Sequence, residues 1–126
     1  FVADCIARRI MERAYLVRRV TAYRLCEIMR KNQFDGSEAR AVEGVMDCDL
    51  LFIDDLGTEP QTKNTSGYLF QVINERNMND RHTIISTNLN PERMEGMYEQ
   101  RVASRLMDVS RTTAIRFYGE DLRLRK

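Results

Sequence analysis

The sequence predicts an α/β fold with a largely parallel sheet, because short buried strands alternate with amphipathic helices along the chain. Residues 50–53 form a continuous apolar run, and residues 83–87 predict a second buried strand. Polar side chains follow both segments: Asp54 and Asp55 follow the first, and Asn88 follows the second. Since ligands bind at the carboxyl ends of parallel strands, we expect a functional site at this edge of the sheet.

The N-terminal part predicts a helix followed by an edge strand. Residues 1–14 place apolar side chains at helical spacing, with charged side chains on the opposite face. The apolar positions are Val2, Ala3, Ile6, Ile10 and Ala14. Residues 16–21 predict a short strand, and its Arg18-Arg19 pair suits an edge position because charge discourages further strand pairing.

Two more helices are predicted before the apolar run. Residues 22–34 place Leu25, Ile28 and Met29 on one helical face. Ser37 can cap the next helix, because its hydroxyl can accept a hydrogen bond from the first helical turn. The apolar side chains of that helix are Val42, Val45 and Met46.

The second half of the chain continues the alternation. Residues 57–67 are polar and predict a loop, and residues 68–79 predict a helix. That helix is expected to bury Leu69, Val72 and Ile73. Asn90-Pro91 predicts a cap followed by a proline in the first helical position, which opens a helical region to about residue 107. Residues 113–118 predict a last strand, followed by a basic tail.

Composition narrows the class of protein. The length of 126 residues suits one domain, and the net charge of +1 gives no bulk attraction to nucleic acid or membrane. No apolar stretch approaches the ~20 residues of a membrane helix, and the first residues do not resemble a secretory leader. We therefore expect a cytoplasmic protein without a membrane partner. Three separated cysteines and the single His82 make no plausible zinc site.

The pair Asp54-Asp55 predicts metal and phosphate chemistry. Beside a phosphate site, the first carboxylate can hold Mg²⁺ through water and the second can orient or deprotonate an attacking water. Asn88 can position the same water or contact the terminal phosphate. The alternative is that all three residues simply begin turns after their strands.

Arg101 and Arg105 lie four residues apart on one helical face, and no acidic residue lies four positions from both. An arginine offered to the γ-phosphate of a neighbouring subunit would act as an arginine finger. The alternative is an ordinary solvated face.

Four segments in register carry a family resemblance. They are LLFIDDLGTE at 50–59, TIISTNL at 83–89, EQRVASRL at 99–106 and FYGEDLR at 117–123. In order and spacing they resemble the Walker B, sensor I, box VII and closing segments of the DnaC/DnaI-type helicase loaders. The resemblance covers nearly the whole chain.

The resemblance implies a P-loop NTPase fold of the AAA+ class, a three-layer sandwich with a mostly parallel sheet. It implies ATP and Mg²⁺ as ligands, a homo-oligomer, and an ATP-dependent switch that brings a replicative DnaB-type helicase onto single-stranded DNA. By position, Asp54 would bind Mg²⁺, Asp55 would occupy the position of the catalytic acid and Asn88 would be sensor I. Arg105 would be the finger acting in trans, with Arg101 supporting it. Arg123 falls where a nucleotide-binding sensor II arginine would lie.

The resemblance also implies a DNA-binding surface. Residues 22–46 match the extra helical insertion that faces DNA in initiator-type AAA+ proteins. Three residues there combine cations with an aromatic ring, and two more in the loop after Walker B can join them. They are Arg30, Lys31 and Phe34, with Thr62 and Lys63 in the loop. The alternative is that these are ordinary surface residues.

The Walker A motif GxxxxGK[ST], whose lysine and backbone N–H groups hold phosphates, is absent from residues 1–126. Aligned to the loaders, Phe1 falls directly after it, and the central P-loop strand, which lies between the strands at 83–87 and 113–118, is missing. We therefore expect residues 1–126 to be a partial AAA+ domain. Alone, they should fold marginally, bind ATP weakly and not hydrolyse it, whereas the parent protein should be an ATPase.

Two other functions fit parts of the pattern. An IstB-type transposition helper ATPase is the nearest, although such proteins tend to have Ser-Gln at the Thr87-Asn88 position and differ over residues 99–106. A non-hydrolysing adaptor that binds DNA or the helicase would explain the absent Walker A motif. The presence of Asp54, Asp55 and Asn88 together with Arg105 argues against the adaptor.

Overall fold

Helices and parallel strands alternate in a computed structural model, which describes residues 1–117. The elements in chain order are α1 Val2–Met11, β1 Val17–Thr21, α2 Ala22–Asp35, α3 Ala39–Asp47, β2 Leu50–Leu56, α4 Thr65–Met78, β3 His82–Thr87, α5 Pro91–Met97 and α6 Gln100–Leu106. The predicted α/β class is confirmed.

The sheet has the order β1-β2-β3 within residues 1–117, and both strand pairs are parallel. The central strand β2 is the most buried, with Leu51 and Ile53 wholly inaccessible. In the register, Arg19 lies beside Phe52 and Thr21 lies beside Asp54. The prediction that Arg18 and Arg19 lie on an edge strand is therefore confirmed for the described sheet. All three strands end at the same edge, as parallel pairing requires.

The core is one cluster of buried side chains from β2 and from helices α2, α3, α4, α5 and α6. Its fully buried apolar side chains include Leu25 of α2, Leu51 of β2, Leu69 and Val72 of α4 and Val102 of α6. Helix α1 also contacts β1 and β2, but none of its residues is buried. The predicted apolar faces of α2 and α4 are thus confirmed as core faces.

Helix ends follow their sequence signals closely in two places. The Thr21 hydroxyl accepts a hydrogen bond from the Arg24 N–H at 3.0 Å and caps α2, and Gly36 ends that helix with φ 70°. The Asn90 carboxamide oxygen accepts from the Arg93 N–H at 2.8 Å and caps α5, with Pro91 as the first helical residue. The predicted Asn90-Pro91 start is confirmed.

Three local predictions are corrected. Ser37 does not cap α3, because that helix begins one residue later, after Glu38, and the Ser37 N–H instead donates to the Asp35 carboxylate at 2.9 Å. Strand β2 does not end at Ile53 but runs through both acids to Leu56. The loop predicted at residues 57–67 ends earlier, because α4 begins at Thr65.

The strand predicted at residues 113–118 is not formed by residues 113–117. Extended backbone becomes a strand only when its N–H and C=O groups pair with a neighbour. No strand within residues 1–117 pairs with this segment. Tyr118 lies outside the described residues. The predicted helical region after Asn90 is also divided, since Tyr98 and Glu99 adopt extended backbone between α5 and α6.

Candidate functional site

The carboxyl end of β2 departs from a regular strand. Its register with β3 shifts between Ile53 and Leu56, and Asp55 adopts φ 57°, in the left-handed region. Aspartate tolerates that region better than most residues do, and such bulges and strained residues concentrate at functional sites. The Asp55 carbonyl accepts from the Thr58 N–H at 3.2 Å and from the Thr58 hydroxyl at 2.8 Å. The loop is thereby closed while the Asp55 residue remains exposed.

Ser86 of β3 connects the two acids. Its hydroxyl donates to Asp54 Oδ1 at 2.6 Å and accepts from the Asp55 N–H at 3.1 Å. One small side chain therefore orients the Asp54 carboxylate and holds the Asp55 backbone. The sequence analysis missed Ser86. In the sequence, Ser86 is only a hydroxyl residue inside a predicted buried strand. Which groups its hydroxyl can reach depends on the β2–β3 register.

Arg19 of β1 was expected only to protect the sheet edge, but it reaches the site. Its Nη2 lies 2.7 Å from Asp54 Oδ2, and its Nη1 lies 3.1 Å from Asp4 Oδ1 of α1. The guanidinium carbon also lies 5.3 Å from the centre of the Phe52 ring. The two carboxylates and the ring fix the guanidinium beside Asp54.

The surroundings of Asp54 favour its charged form. The hydrogen bond from Arg19, and after it that from Ser86, lowers the pKa of the Asp54 carboxyl below its ordinary value of 3.8. Both of its oxygens have a donor, and its side chain is 18% exposed. The carboxylate is therefore charged at neutral pH and partly accessible.

The end of β3 lies beside this pair. The Thr87 hydroxyl donates to the Leu56 carbonyl at 2.6 Å and accepts from the Leu89 N–H at 3.1 Å, so it joins the carboxyl ends of β2 and β3. Asn88 follows as an exposed residue. The structure thus places Asp54, Asp55 and Asn88 at one edge of the sheet, as the sequence predicted.

The two predicted box VII arginines differ in their surroundings. Arg101 donates through Nε to Glu99 Oε2 at 2.9 Å, and its guanidinium carbon lies 4.8 Å from the centre of the Phe70 ring. Arg105 is exposed and forms no ion pair within residues 1–117. No hydrogen bond or ion pair in that range joins either arginine to Asp54 or Asp55.

A buried acid, Glu59, ties the loop after β2 to α5. It is 3% exposed and accepts hydrogen bonds from the Gly57 N–H at 2.8 Å and from the Gln61 carboxamide at 3.2 Å. The Tyr98 hydroxyl donates to it as well. Burial, and then the neighbouring Glu59, raises the pKa of Tyr98. Sequence reasoning assigned no role to Glu59 or Tyr98, since they lie far apart in the chain.

The predicted DNA-binding residues lie on two elements. On α2, Arg30 and Phe34 are exposed, Phe34 by 87%, whereas Lys31 pairs with Glu27 at 3.3 Å. In the loop before α4, Lys63 is exposed and the Thr62 hydroxyl lies 3.1 Å from that of Thr65. No hydrogen bond or ion pair of the described chain joins the two sets. Arg123 lies outside the described residues.

The site is compatible with Mg²⁺ bound mainly by water and phosphate. Within residues 1–117 there is no cluster of three or more acids, cysteines or histidines that could enclose a metal. Mg²⁺ does not need such a cluster, because it commonly uses one or two carboxylates together with substrate phosphates and water. The oriented, partly accessible carboxylate of Asp54 fits that donor set.

A family model described as IstB-like ATP binding protein matches residues 1–126. The chain belongs to this family. Among curated proteins, this IstB-like chain is similar to the uncharacterized protein YdaV of Escherichia coli (strain K12), with 27% identity over 106 residues. That match covers 83% of this chain and 43% of YdaV.

Solved structures of the replication initiator DnaA share the fold. DnaA of Aquifex aeolicus bound to AMPPCP matches with a TM-score of 0.66 and 20% identity over 77% of this chain and 30% of that one. A DnaA structure with AMPPCP and single-stranded DNA matches with a TM-score of 0.68 and 19% identity, over 79% of this chain and 31% of that one. Domain III of Thermotoga maritima DnaA matches with a TM-score of 0.64 and 20% identity, over 75% of this chain and 39% of that one.

These likenesses confirm the predicted AAA+ P-loop NTPase fold. The IstB-like chain spans less than half the length of the proteins it matches. The family carries the name of the alternative, the IstB-type helper, and the match does not identify the chain as a DnaC/DnaI-type loader. Within residues 1–117, no helix is both long and apolar enough to cross a membrane.

Proposed function

We propose that this chain is the core of an ATP-dependent switch protein that loads a replicative DnaB-type helicase onto single-stranded DNA in the cytoplasm. The observation that carries the proposal is the acidic edge of the sheet, where Ser86 orients Asp54 and a bulge exposes Asp55. Membership of an ATP-binding family and the motifs at 50–59, 83–89 and 99–106 support it.

Asp54 would hold Mg²⁺ through water, with Ser86 fixing its orientation. When bound, the ion neutralises charge on the phosphate oxygens. The exposed carboxylate of Asp55 would orient or deprotonate the attacking water, and Asn88 would hold that water from the neighbouring strand. Aspartate is shorter than the glutamate found at this position in many AAA+ proteins, so slow hydrolysis is expected, which suits a switch.

The proposed site is completed by a second subunit. Arg105 is exposed without an ion pair in the described chain, so it is available to the γ-phosphate bound by a neighbour. Arg101 is held by Glu99 and Phe70 and would support the arginine finger, Arg105. Arg123 is proposed as a further nucleotide contact from its place in the motif at 117–123.

The proposed DNA surface combines cations with an exposed ring. Stacking of bases on Phe34 and contacts of Arg30 and Lys31 with phosphates would bind a single strand without sequence preference. Thr62 and Lys63 would extend this surface along the loop before α4. A DnaA structure of the same fold was solved with single-stranded DNA, which supports this part of the proposal.

Loading can be measured as helicase-dependent unwinding of a forked DNA coated with single-strand-binding protein. We expect the complete native polypeptide to stimulate unwinding by its host's DnaB-type helicase in the presence of ATP. Asp54→Asn should lower that stimulation at least tenfold, an order of magnitude typical for loss of a charge-stabilising group. Asp80→Asn is the matched control, because Asp80 is an exposed acid that precedes β3, at the opposite end of the strand.

The family name favours one alternative, an IstB-type helper of a transposase. In that case the native polypeptide would stimulate DNA strand transfer by its transposase in an Asp54-dependent manner and would leave helicase loading unchanged. Stimulation of unwinding that does not depend on ATP or Asp54 would instead indicate the non-hydrolysing adaptor. Either result would contradict the loader proposal.

A further inference from the structure

Both oxygens of the Asp54 carboxylate are engaged within the chain itself. Ser86 donates to Oδ1 at 2.6 Å, and Arg19 approaches Oδ2 at 2.7 Å. Ser86 is neutral and can remain in place when a cation arrives. The guanidinium of Arg19, however, carries the positive charge that a metal ion would bring to the same oxygen.

Arg19 has other partners besides Asp54. Its Nη1 already contacts Asp4 of α1 at 3.1 Å, and its guanidinium lies over the Phe52 ring at 5.3 Å. These partners can keep the side chain at the sheet edge after it leaves Asp54. The Arg19 side chain is 57% exposed, so the movement requires no repacking of the core.

We propose that Arg19 is an internal counter-ion that occupies the cation position at Asp54 and must be displaced towards Asp4 when a divalent cation binds. This inference rests on the proposed Mg²⁺ site at Asp54 and adds its regulation. The displacement raises the cation concentration needed for binding, because the cation must compete with the positive charge of Arg19 in the same chain. Arg19 would affect cation binding only through its ion pair with Asp54, without contacting the cation.

The chain contains a matched control for this exchange. Arg18 is the adjacent residue of β1, and it is directed towards α3, where its guanidinium lies against Gly44. Arg18→Gln and Arg19→Gln remove the same charge from neighbouring positions. Only Arg19→Gln removes the contact with Asp54.

The experiment measures binding of Mn²⁺ alone, as a spectroscopic substitute for Mg²⁺, by electron paramagnetic resonance of the complete native polypeptide. We expect Arg19→Gln to bind Mn²⁺ roughly fivefold more tightly than wild type, the order of magnitude of a partly exposed ion pair. Arg18→Gln should bind Mn²⁺ as wild type does. In wild type, Mg²⁺ should also shift the NMR resonance of Arg19 Nε, which a purely structural role would not produce.

The outcomes separate this inference from the function on which it rests. If Asp54→Asn leaves Mn²⁺ affinity unchanged, the proposed cation site fails and this inference fails with it. If Asp54→Asn abolishes binding but Arg19→Gln binds no more tightly than Arg18→Gln, only the counter-ion role is overturned. Weaker binding by Arg19→Gln would also overturn it, because Arg19 would then assist the cation.

Discussion

Arg76 of α4 shows how one residue can hold several elements together. It is wholly buried, and its guanidinium donates to backbone carbonyls, to one hydroxyl and to one sulfur rather than to a carboxylate. The acceptors are the carbonyls of Val45 at 2.8 Å, Met46 at 3.1 Å, Cys48 at 2.9 Å and His82 at 2.6 Å, the Thr83 hydroxyl at 3.0 Å and the Cys48 sulfur at 3.4 Å. Several of these carbonyls end α3, where free acceptors and the helix dipole favour a cation.

Burial lowers the pKa of Arg76 below its ordinary value, but arginine stays protonated in proteins. Replacing Arg76 by methionine keeps an unbranched side chain but leaves buried carbonyls without donors. We expect Arg76→Met to lower the free energy of unfolding by roughly 3 kcal/mol or more. Urea denaturation of the complete native polypeptide, followed by circular dichroism, measures this change.

The control is Arg40→Met on the exposed surface of α3. Its effect on unfolding should stay within about 0.5 kcal/mol. A loss in Arg76→Met no larger than that of Arg40→Met would show that the carbonyls are satisfied without the guanidinium.

Residue types alone predicted part of the site. Asp54 and Asp55 were identified because paired acids follow a predicted buried strand, at the sheet edge where ligands bind. Ser86 and Arg19 were not, because their roles depend on which strands are neighbours and in which register. A serine or an arginine in a strand is common, and only the contact with Asp54 gives either one a place in the site.

At the scale of elements, the loop after β2 connects the acidic edge to α5. Gly57 adopts φ 105°, and its N–H donates to Glu59. Glu59 also accepts a hydrogen bond from the hydroxyl of Tyr98 at the end of α5. A Cβ built on Gly57 would lie 2.8 Å from the nearest side-chain atom of Leu89. Both the backbone conformation and the space therefore require glycine here.

We expect Gly57→Ala to lower the free energy of unfolding by about 1 to 2 kcal/mol, because alanine is disfavoured at positive φ and must also displace Leu89. Thermal or urea unfolding measures this loss. Gly96→Ala in α5 is the control, since a Cβ there meets nothing within 4 Å. It should be neutral or stabilising by up to about 1 kcal/mol. Equal effects of the two substitutions would contradict the role given to Gly57.

Element positions were predictable where one local signal dominated. The Asn90-Pro91 start of α5 and the apolar run of β2 needed no tertiary information. The end of β2 was predicted too early, because the acids resemble a turn while the strand continues through a bulge held by Ser86. The cap at Ser37 was wrong because α3 begins one residue later, with Glu38 at the cap position. Residues 113–117 form no strand because strands need a neighbour.

At the scale of the whole molecule, parallel strand order explains why residues distant in the chain lie at one edge of the sheet. Asp54, Asp55 and Asn88 lie there because β2 and β3 are parallel neighbours that end at the same edge. Arg101 and Arg105 lie on α6 and form no hydrogen bond or ion pair with these acids in the described chain. In the proposed site, the acids would come from one subunit and the arginine finger, Arg105, from the next.

Mixing two inactive variants tests this shared site most directly. ATP hydrolysis is measured for the complete native polypeptide as Asp55→Asn, as Arg105→Ala and as an equal mixture, with assembly followed by light scattering. We predict that each variant alone loses hydrolysis by about a hundredfold or more. The mixture should regain part of the wild-type rate, because intact Asp55 then meets intact Arg105. Wild-type hydrolysis by assembled Arg105→Ala, or an assembled mixture without recovery, would contradict the account.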